Sequence, residues 1–171
     1  MPSNRSLRSA AFLVMIASAP AGRTAQAQDS AATALPPQPR WTLSGLLEVL
    51  HAGADSWGVG PALGIRRDFG PRWGAELRAA LPAFNESGGA ALDLAATYTL
   101  IEGATELGAS LGATGFLVGD QSELTGGGVG LYVAAHATGW LTRGFGLTGG
   151  ANLRTAVGTF PGGFAGVALR F

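Results

Sequence analysis

From Trp41 onward apolar residues recur at every second position, and clusters of turn-forming residues interrupt them at fairly regular intervals. A period of two belongs to strands with one apolar face, not to helices. The pattern predicts strands at about 41–52, 57–69, 73–84, 91–100, 105–118, 127–141, 145–155 and 163–171. The connections alternate in length. Gly70-Pro71-Arg72, Ile101-Glu102-Gly103-Ala104 and Thr142-Arg143-Gly144 are short, whereas the others are mostly longer and include Asn85 to Ala90 and Gly119 to Gly126. An even number of strands with short turns at one end and long loops at the other predicts an all-β protein. It would be a closed, antiparallel, eight-stranded transmembrane barrel of up-and-down connectivity.

The alternation also sorts the faces. In the third strand Trp73, Ala75, Leu77, Ala79, Leu81 and Ala83 share one face, and Gly74, Glu76, Arg78 and Ala80 share the other. In the sixth, Val129, Leu131, Val133, Ala135 and Ala137 oppose Gly130, Tyr132, His136 and Thr138. A charge facing lipid costs about 2–4 kcal/mol at the bilayer midplane, so the charged face has to line the barrel. The expected interior polar network is Glu48, Arg66, Asp68, Glu76, Arg78, Asp93, Glu106, His136, Arg154 and Arg170. Pairing Phe69 with Trp73 sets Arg66 opposite Glu76, which predicts an inward ion pair. Arg67 departs from the rule, with lipid-facing parity two residues before Phe69, and Leu46 and Leu50 fall on the inward face.

Two features leave the lumen open to two readings. Mixed charge predicts a plugged interior. Small inward residues, among them Gly60, Ala62, Gly64, Gly108, Ser110, Gly112, Gly130 and Gly150, are consistent with a narrow water-filled path. Pro61 and Pro82 fall almost opposite one another near the long-loop ends of adjacent strands, and each removes a ladder donor. Weakened pairing of the second and third strands is expected above them.

Aromatic residues predict the two girdles that membrane barrels place at the membrane–water boundaries. Trp41, Phe69, Trp73, Trp140, Phe145 and Phe171 fall at short-turn ends, and Trp57, Phe84, Phe116 and Phe164 fall near long-loop ends. Composition agrees with insertion by strands. Charged residues make up 13% of the chain against about 25% in soluble domains. The continuous apolar run near the N-terminus, Ala10 to Ala19, is too short to span a bilayer. Preceded by Arg5 and Arg8 and followed by Ala25-Gln26-Ala27, it reads as a signal peptide over residues 1–27, with cleavage after Ala27 or alternatively Ala21. Residues 28–40, with Pro36, Pro37 and Pro39, form a flexible lead-in to a barrel over 41–171.

In the last strand Ala165, Val167, Leu169 and Phe171 alternate with Gly166, Ala168 and Arg170. Val167, Leu169 and the terminal Phe171 resemble the signal by which the outer-membrane assembly machinery selects its clients. The segment from Trp41 to Phe171 resembles the small eight-stranded outer-membrane proteins, such as the OmpA transmembrane domain and OmpX, in pattern and without a long shared motif. That resemblance implies a bacterial outer-membrane location, outer-membrane lipid and lipopolysaccharide as surroundings, and the assembly machinery as a partner. It names no ligand. No peptidoglycan-binding domain follows the barrel, so a wall-anchoring role is not expected.

Candidate chemistry is sparse. With no Cys and two His residues, His51 and His136, no metal site is expected. Zero net charge gives no reason to expect nucleic-acid binding. Gly58-Val59-Gly60 with Gly64 fits a barrel lumen better than a phosphate loop, since no helix follows it. Some outer-membrane barrels hydrolyse lipid A acyl chains, and His136-Ala137-Thr138 sets a hydroxyl on the same face as a His. The His-x-Ser-Asn pattern of that chemistry is absent, as are HExxH and GxSxG. No cofactor is expected. Asp55, Glu86, Asp120 and Glu123 make the long-loop end acidic, suited to lipopolysaccharide through bridging divalent cations or to an extracellular partner that the sequence does not name. The expected function is a non-enzymatic outer-membrane barrel serving envelope structure or surface interaction. A narrow, porin-like channel for ions or small solutes is the alternative, and lipid A hydrolysis is a distant third.

Overall fold

The computed structural model describes residues 40–52, 56–84, 87–119, 124–156 and 158–171. The expected signal peptide, the lead-in before Arg40 and the loop acids Asp55, Glu86, Asp120 and Glu123 lie outside the described residues. Eight strands follow in chain order: β1 (Arg40–His51), β2 (Trp57–Asp68), β3 (Trp73–Ala80), β4 (Gly88–Ile101), β5 (Thr105–Gly119), β6 (Leu124–Trp140), β7 (Phe145–Thr155) and β8 (Thr159–Arg170). Each pairs antiparallel with the next, and β8 returns to β1 to close the barrel, in register from Thr42↔Arg170 to Leu50↔Gly162. At the seam Trp41 and Phe171 exchange backbone hydrogen bonds of 2.9 and 3.0 Å. Closure leaves no strand edge, which lipid demands because it offers unpaired backbone groups no hydrogen bond.

Strand parity sets the two surfaces. Along β2 every second residue is buried, from Gly58 to Arg66, while Val59, Leu63 and Ile65 stand outside. Large apolar side chains cover the exterior, with Leu63 at 64%, Leu94 at 62% and Val129 at 81% exposed, while Glu48, Asp93 and Arg154 are at 1% or less. This inverts a soluble protein and suits one solvated by lipid. The 12 residues of β1, at a rise of about 3.4 Å and a tilt of about 40°, give roughly 31 Å of height, enough for the apolar band of about 25 Å.

Several boundaries differ from those read off the sequence. β3 stops at Ala80 and β4 starts at Gly88, where strands to 84 and from 91 were expected, and β6 and β8 begin at Leu124 and Thr159. Tertiary pairing extends the latter three past their hydrophobic alternation: Gly88 meets Gly119, Leu124 also meets Gly119, and Thr159 meets Thr155. The prolines do less than expected. Leu81 N–H donates to the Pro61 carbonyl at 3.0 Å, and above that level Val59 and Ala83 exchange both bonds, at 3.0 and 2.9 Å. The Pro82 carbonyl accepts from Gly89 at 2.7 Å, so its missing donor is turned toward β4 and not toward β2.

Inward glycines let neighbouring strands and side chains approach closely. A Cβ on Gly112 would lie 2.0 Å from the Leu94 carbonyl oxygen, whereas one on the outward Gly115 of the same strand meets nothing nearer than 4.0 Å. Gly112→Val is therefore expected to destabilise the folded barrel by at least the 1–3 kcal/mol typical of overpacking, that is by about 2 kcal/mol or more. Gly115→Val should leave it within about 0.5 kcal/mol of the parent. Urea unfolding of the refolded variants, followed by tryptophan fluorescence, measures both.

Candidate functional site: the barrel lumen

An eight-stranded barrel encloses a space that side chains just fill. Here they fill it in layers. At the short-turn end Glu106 on β5 is the hub, accepting from Arg66 at 2.5 Å and also from Arg170. The Trp140 indole N–H lies 3.4 Å from the same carboxylate, and the Arg170 guanidinium sits 3.8 Å from the centre of that indole. Arg66 further pairs with Asp68 at 3.0 Å and reaches His136 Nε2 at 3.4 Å.

At mid-height Arg78 donates to its strand neighbour Glu76 at 2.9 Å, and Ser110 donates to the other Glu76 oxygen at 3.2 Å. The Arg78 guanidinium also lies 4.1 Å from the Phe164 ring centre. Between this layer and the Arg66 layer is a cavity of about 40 Å³ lined by Thr42, Ser44, Arg66, Glu76, Arg78 and His136 among others. At about 10–15 Å³ per water it holds roughly three.

Nearer the long-loop end Arg154 bridges two carboxylates, bonding Glu48 at 2.6 Å and Asp93 at 2.6 and 2.9 Å. Asn152 donates to Glu48 as well. Beyond this triad the lumen turns apolar, with Phe116 stacked on Phe160 at 4.6 Å between ring centres and Leu50 fully buried. A small-solute path would have to pass both a desolvated ion triad and this lid.

All ten residues expected in the interior network lie in the lumen, but their partners differ. Arg66 does sit opposite Glu76 in the register, yet no ion pair joins them. Arg66 reaches along and across the lumen to Asp68 and Glu106, and Glu76 is taken by Arg78. Across a curved lumen a long guanidinium reaches acids several strands away, so register alone does not choose the partner. The small inward residues do not simply line open space, because larger side chains reach into the hollows they leave. A Cβ on Gly108 would meet His136 at 2.5 Å, and one on Gly150 would meet Phe164 at 2.8 Å.

The girdles need correction. Trp41, Phe69, Trp73 and Phe171 ring the short-turn end outside, with Phe145 half-buried there, and Trp57 stands outside near the long loops. Phe116 and Phe164 point inward and are buried, Trp140 turns inward onto Glu106, and Phe84 leans over the core against Gly58. Their parity carried the signal: Phe116 shares the face of Glu106, and Phe164 that of Arg170. Sequence reading overlooked Asn152, which the same parity test applied to β7 would have placed inside, and Phe160, which lies before the strand expected from residue 163. Val167, Leu169 and Phe171 lie on the outward face of β8.

The nearest chemistry to a catalytic dyad does not assemble. Thr138 donates to Thr148 at 2.9 Å, and His136 faces the Arg66 guanidinium. His51 lies on the outer face against Trp57, 4.5 Å between ring centres. Among the described residues no group of three potential metal ligands converges.

The fold recurs among solved structures. OprG from Pseudomonas aeruginosa aligns over 78% of this chain and 95% of its own, with a TM-score of 0.59 at 12% identity. Ail of Yersinia pestis aligns over 80% and 100%, with a TM-score of 0.57 at 13% identity. Neisserial surface protein A aligns over 78% and 97%, with a TM-score of 0.58 at 13% identity. These similarities establish the fold as that of the small eight-stranded outer-membrane barrels. No protein-family model matches the sequence, and a search of curated proteins found no match.

Removing Arg154 leaves two buried carboxylates facing each other. Arg154→Met is expected to cost about 3–5 kcal/mol of stability, the scale for breaking a buried charge pair from one side. Adding Glu48→Gln and Asp93→Asn should restore much of that loss. The urea midpoints of the single and triple variants decide it, and a triple variant no better than the single would show that shape and not charge holds this layer.

Proposed function

We propose that the protein is an integral, non-enzymatic barrel of the bacterial outer membrane, closed to solutes, whose role lies in envelope structure or in contacts made at its surface. The observation that carries this reading is the layer of Glu48, Arg154 and Asp93 backed by Phe116, Phe160 and Leu50. Opening it would strand charges in a low-dielectric space, and Arg154 is held by both of its neighbours at once. The outward row Val167, Leu169 and Phe171 on the closing strand supports recognition by the assembly machinery.

A narrow channel is the second reading. It is favoured by the 40 Å³ cavity and by a vestibule of about 220 Å³ at the short-turn mouth, lined by Arg40, Asp68, Glu102, Glu106 and Arg170 among others. Both lie on one side of the Arg154 layer, so they make a wet half-lumen and not a pore. Lipid A hydrolysis gains no support, because the His136 imidazole is inside the barrel and its neighbouring hydroxyl is engaged elsewhere.

The surface role has one constraint. Ail has been solved in complex with the heparin analogue sucrose octasulfate, a polyanion. In the present chain the segments that join strands at the long-loop end, 52–56, 81–87, 120–123 and 156–158, contain no Arg or Lys and carry Asp55, Glu86, Asp120 and Glu123. A partner there would have to be cationic, or be bridged by divalent cations, so polyanion binding does not carry over.

The purified barrel in planar bilayers is expected to give no discrete conductance steps at neutral pH. Reproducible steps from a heat-modifiable, monodisperse preparation would replace the closed reading with the channel.

A further inference from the structure

The interior network uses Arg66, Arg78, Arg154 and Arg170 and leaves Arg40, Arg67, Arg72 and Arg143 at the short-turn end outside it. Arg67 is the one charged residue on the lipid-facing side of the described strands. Register sets it directly across from Trp41, and its guanidinium lies 5.2 Å from that indole and 5.5 Å from the Phe69 ring. Phe69 N–H donates to the Trp73 carbonyl at 2.8 Å across the turn. Trp73 meets Tyr98 edge-on at 4.8 Å, and the Tyr98 hydroxyl accepts from Arg72 at 3.1 Å. These six residues lie side by side along the outside of the short-turn end of β1 to β4, joined by side-chain contacts within each of two groups and by a backbone bond between the groups.

No carboxylate neutralises this set among the described residues. Asp68 turns inward to Arg66, and Glu102 pairs with Arg40 at 3.2 Å. One guanidinium held over two aromatic rings, and a second hydrogen-bonded to a tyrosine hydroxyl, at a membrane boundary are suited to one kind of occupant. The guanidinium fork matches the oxygens of a phosphate and donates two parallel bonds to it. Indole and phenyl rings prefer the headgroup level, where the glycerol and the first carbons of an acyl chain lie. The opposite rim lacks any basic residue in its connecting segments, so the anion-binding capacity is concentrated on the short-turn side.

We propose that Arg67 and Arg72, with Trp41, Phe69, Trp73 and Tyr98, form a binding site for the phosphate headgroup of an anionic phospholipid in the leaflet that meets the short turns. This rests on the reading that the barrel is embedded in the outer membrane. The site anchors the barrel at a fixed depth and rotates its β1–β4 side toward anionic lipid.

The test is native mass spectrometry of the refolded protein released from detergent micelles doped with phosphatidylglycerol, phosphatidylcholine or lipid A. The wild type is expected to retain phosphatidylglycerol over phosphatidylcholine, with the preference falling roughly five-fold for each arginine removed in Arg67→Gln and Arg72→Gln, the scale of one basic residue near an anionic surface. Arg143→Gln, in the short turn between β6 and β7, should leave it unchanged. Arg67→Lys should keep part of the preference, since it keeps the charge and loses the fork. Heat-modifiable mobility checks that each variant still closes. If the double variant does not close, the two single variants carry the test. Equal phosphatidylglycerol retention by wild type and by arginine variants that close overturns the site, and so does an arginine-dependent preference for lipid A. A wild-type chain that forms no heat-modifiable barrel would instead overturn the membrane reading on which the site rests.

Discussion

The pairing of β8 with β1 is the bond set on which everything else in this molecule depends. A sheet in hydrocarbon cannot leave a free edge, because each unpaired backbone group there costs several kcal/mol, on the order of the whole stability of a small domain. Closing eight strands therefore comes first, and closure fixes which face of each strand looks inward. Once the lumen is enclosed and the exterior is lipid, every charged strand residue except Arg67 and the exposed Arg40 at the mouth is carried into a space too narrow for bulk water. There the four arginines have to find the five carboxylates.

That confinement explains the form of the network. Glu106 and Arg154 each serve two partners of opposite sign, whereas at mid-height Arg78 and Glu76 pair one to one. Shared ions of this kind resist separation, since moving one side chain exposes two others. Rings complete the layers: Trp140 beneath Arg170, and Phe164 and Tyr132 beside Arg78, give the guanidinium faces a partner that needs no hydrogen bond. The glycines that looked like the walls of a pore are the hollows that receive these large groups.

The two ends of the barrel differ for a related reason. Short turns keep their charged and aromatic residues close to the strands, so Arg67, Arg72, Trp41, Phe69 and Trp73 are held at one height by the ladder itself. The sequence segments that join strands at the long-loop end contain acidic residues and no Arg or Lys, and Phe116 and Phe160 stack inside the lumen at that end. Interior polarity, exterior apolarity and rim chemistry are three separate consequences of where each residue falls relative to the closed ladder.

The sequence by itself determined the architecture and the membership of the lumen. A period of two is a local property, and the energetic cost of a charge in lipid converts parity into inside or outside without any knowledge of neighbours, as for Glu48, Arg66 and Arg154. The same rule would have placed Phe116, Phe164 and Trp140 inside, had it been applied to aromatic residues instead of their distance from the strand ends. What only the tertiary structure decided is who meets whom. Arg66 left its cross-strand neighbour Glu76 for Glu106, 40 residues away in the chain. Arg154 drew in Glu48 from β1 and Asp93 from β4, because in a curved lumen the reach of a side chain, and not the register, selects the partner. Strand ends were decided the same way: pairing with the neighbouring strand extended β4, β6 and β8, a cooperative effect that no local pattern encodes.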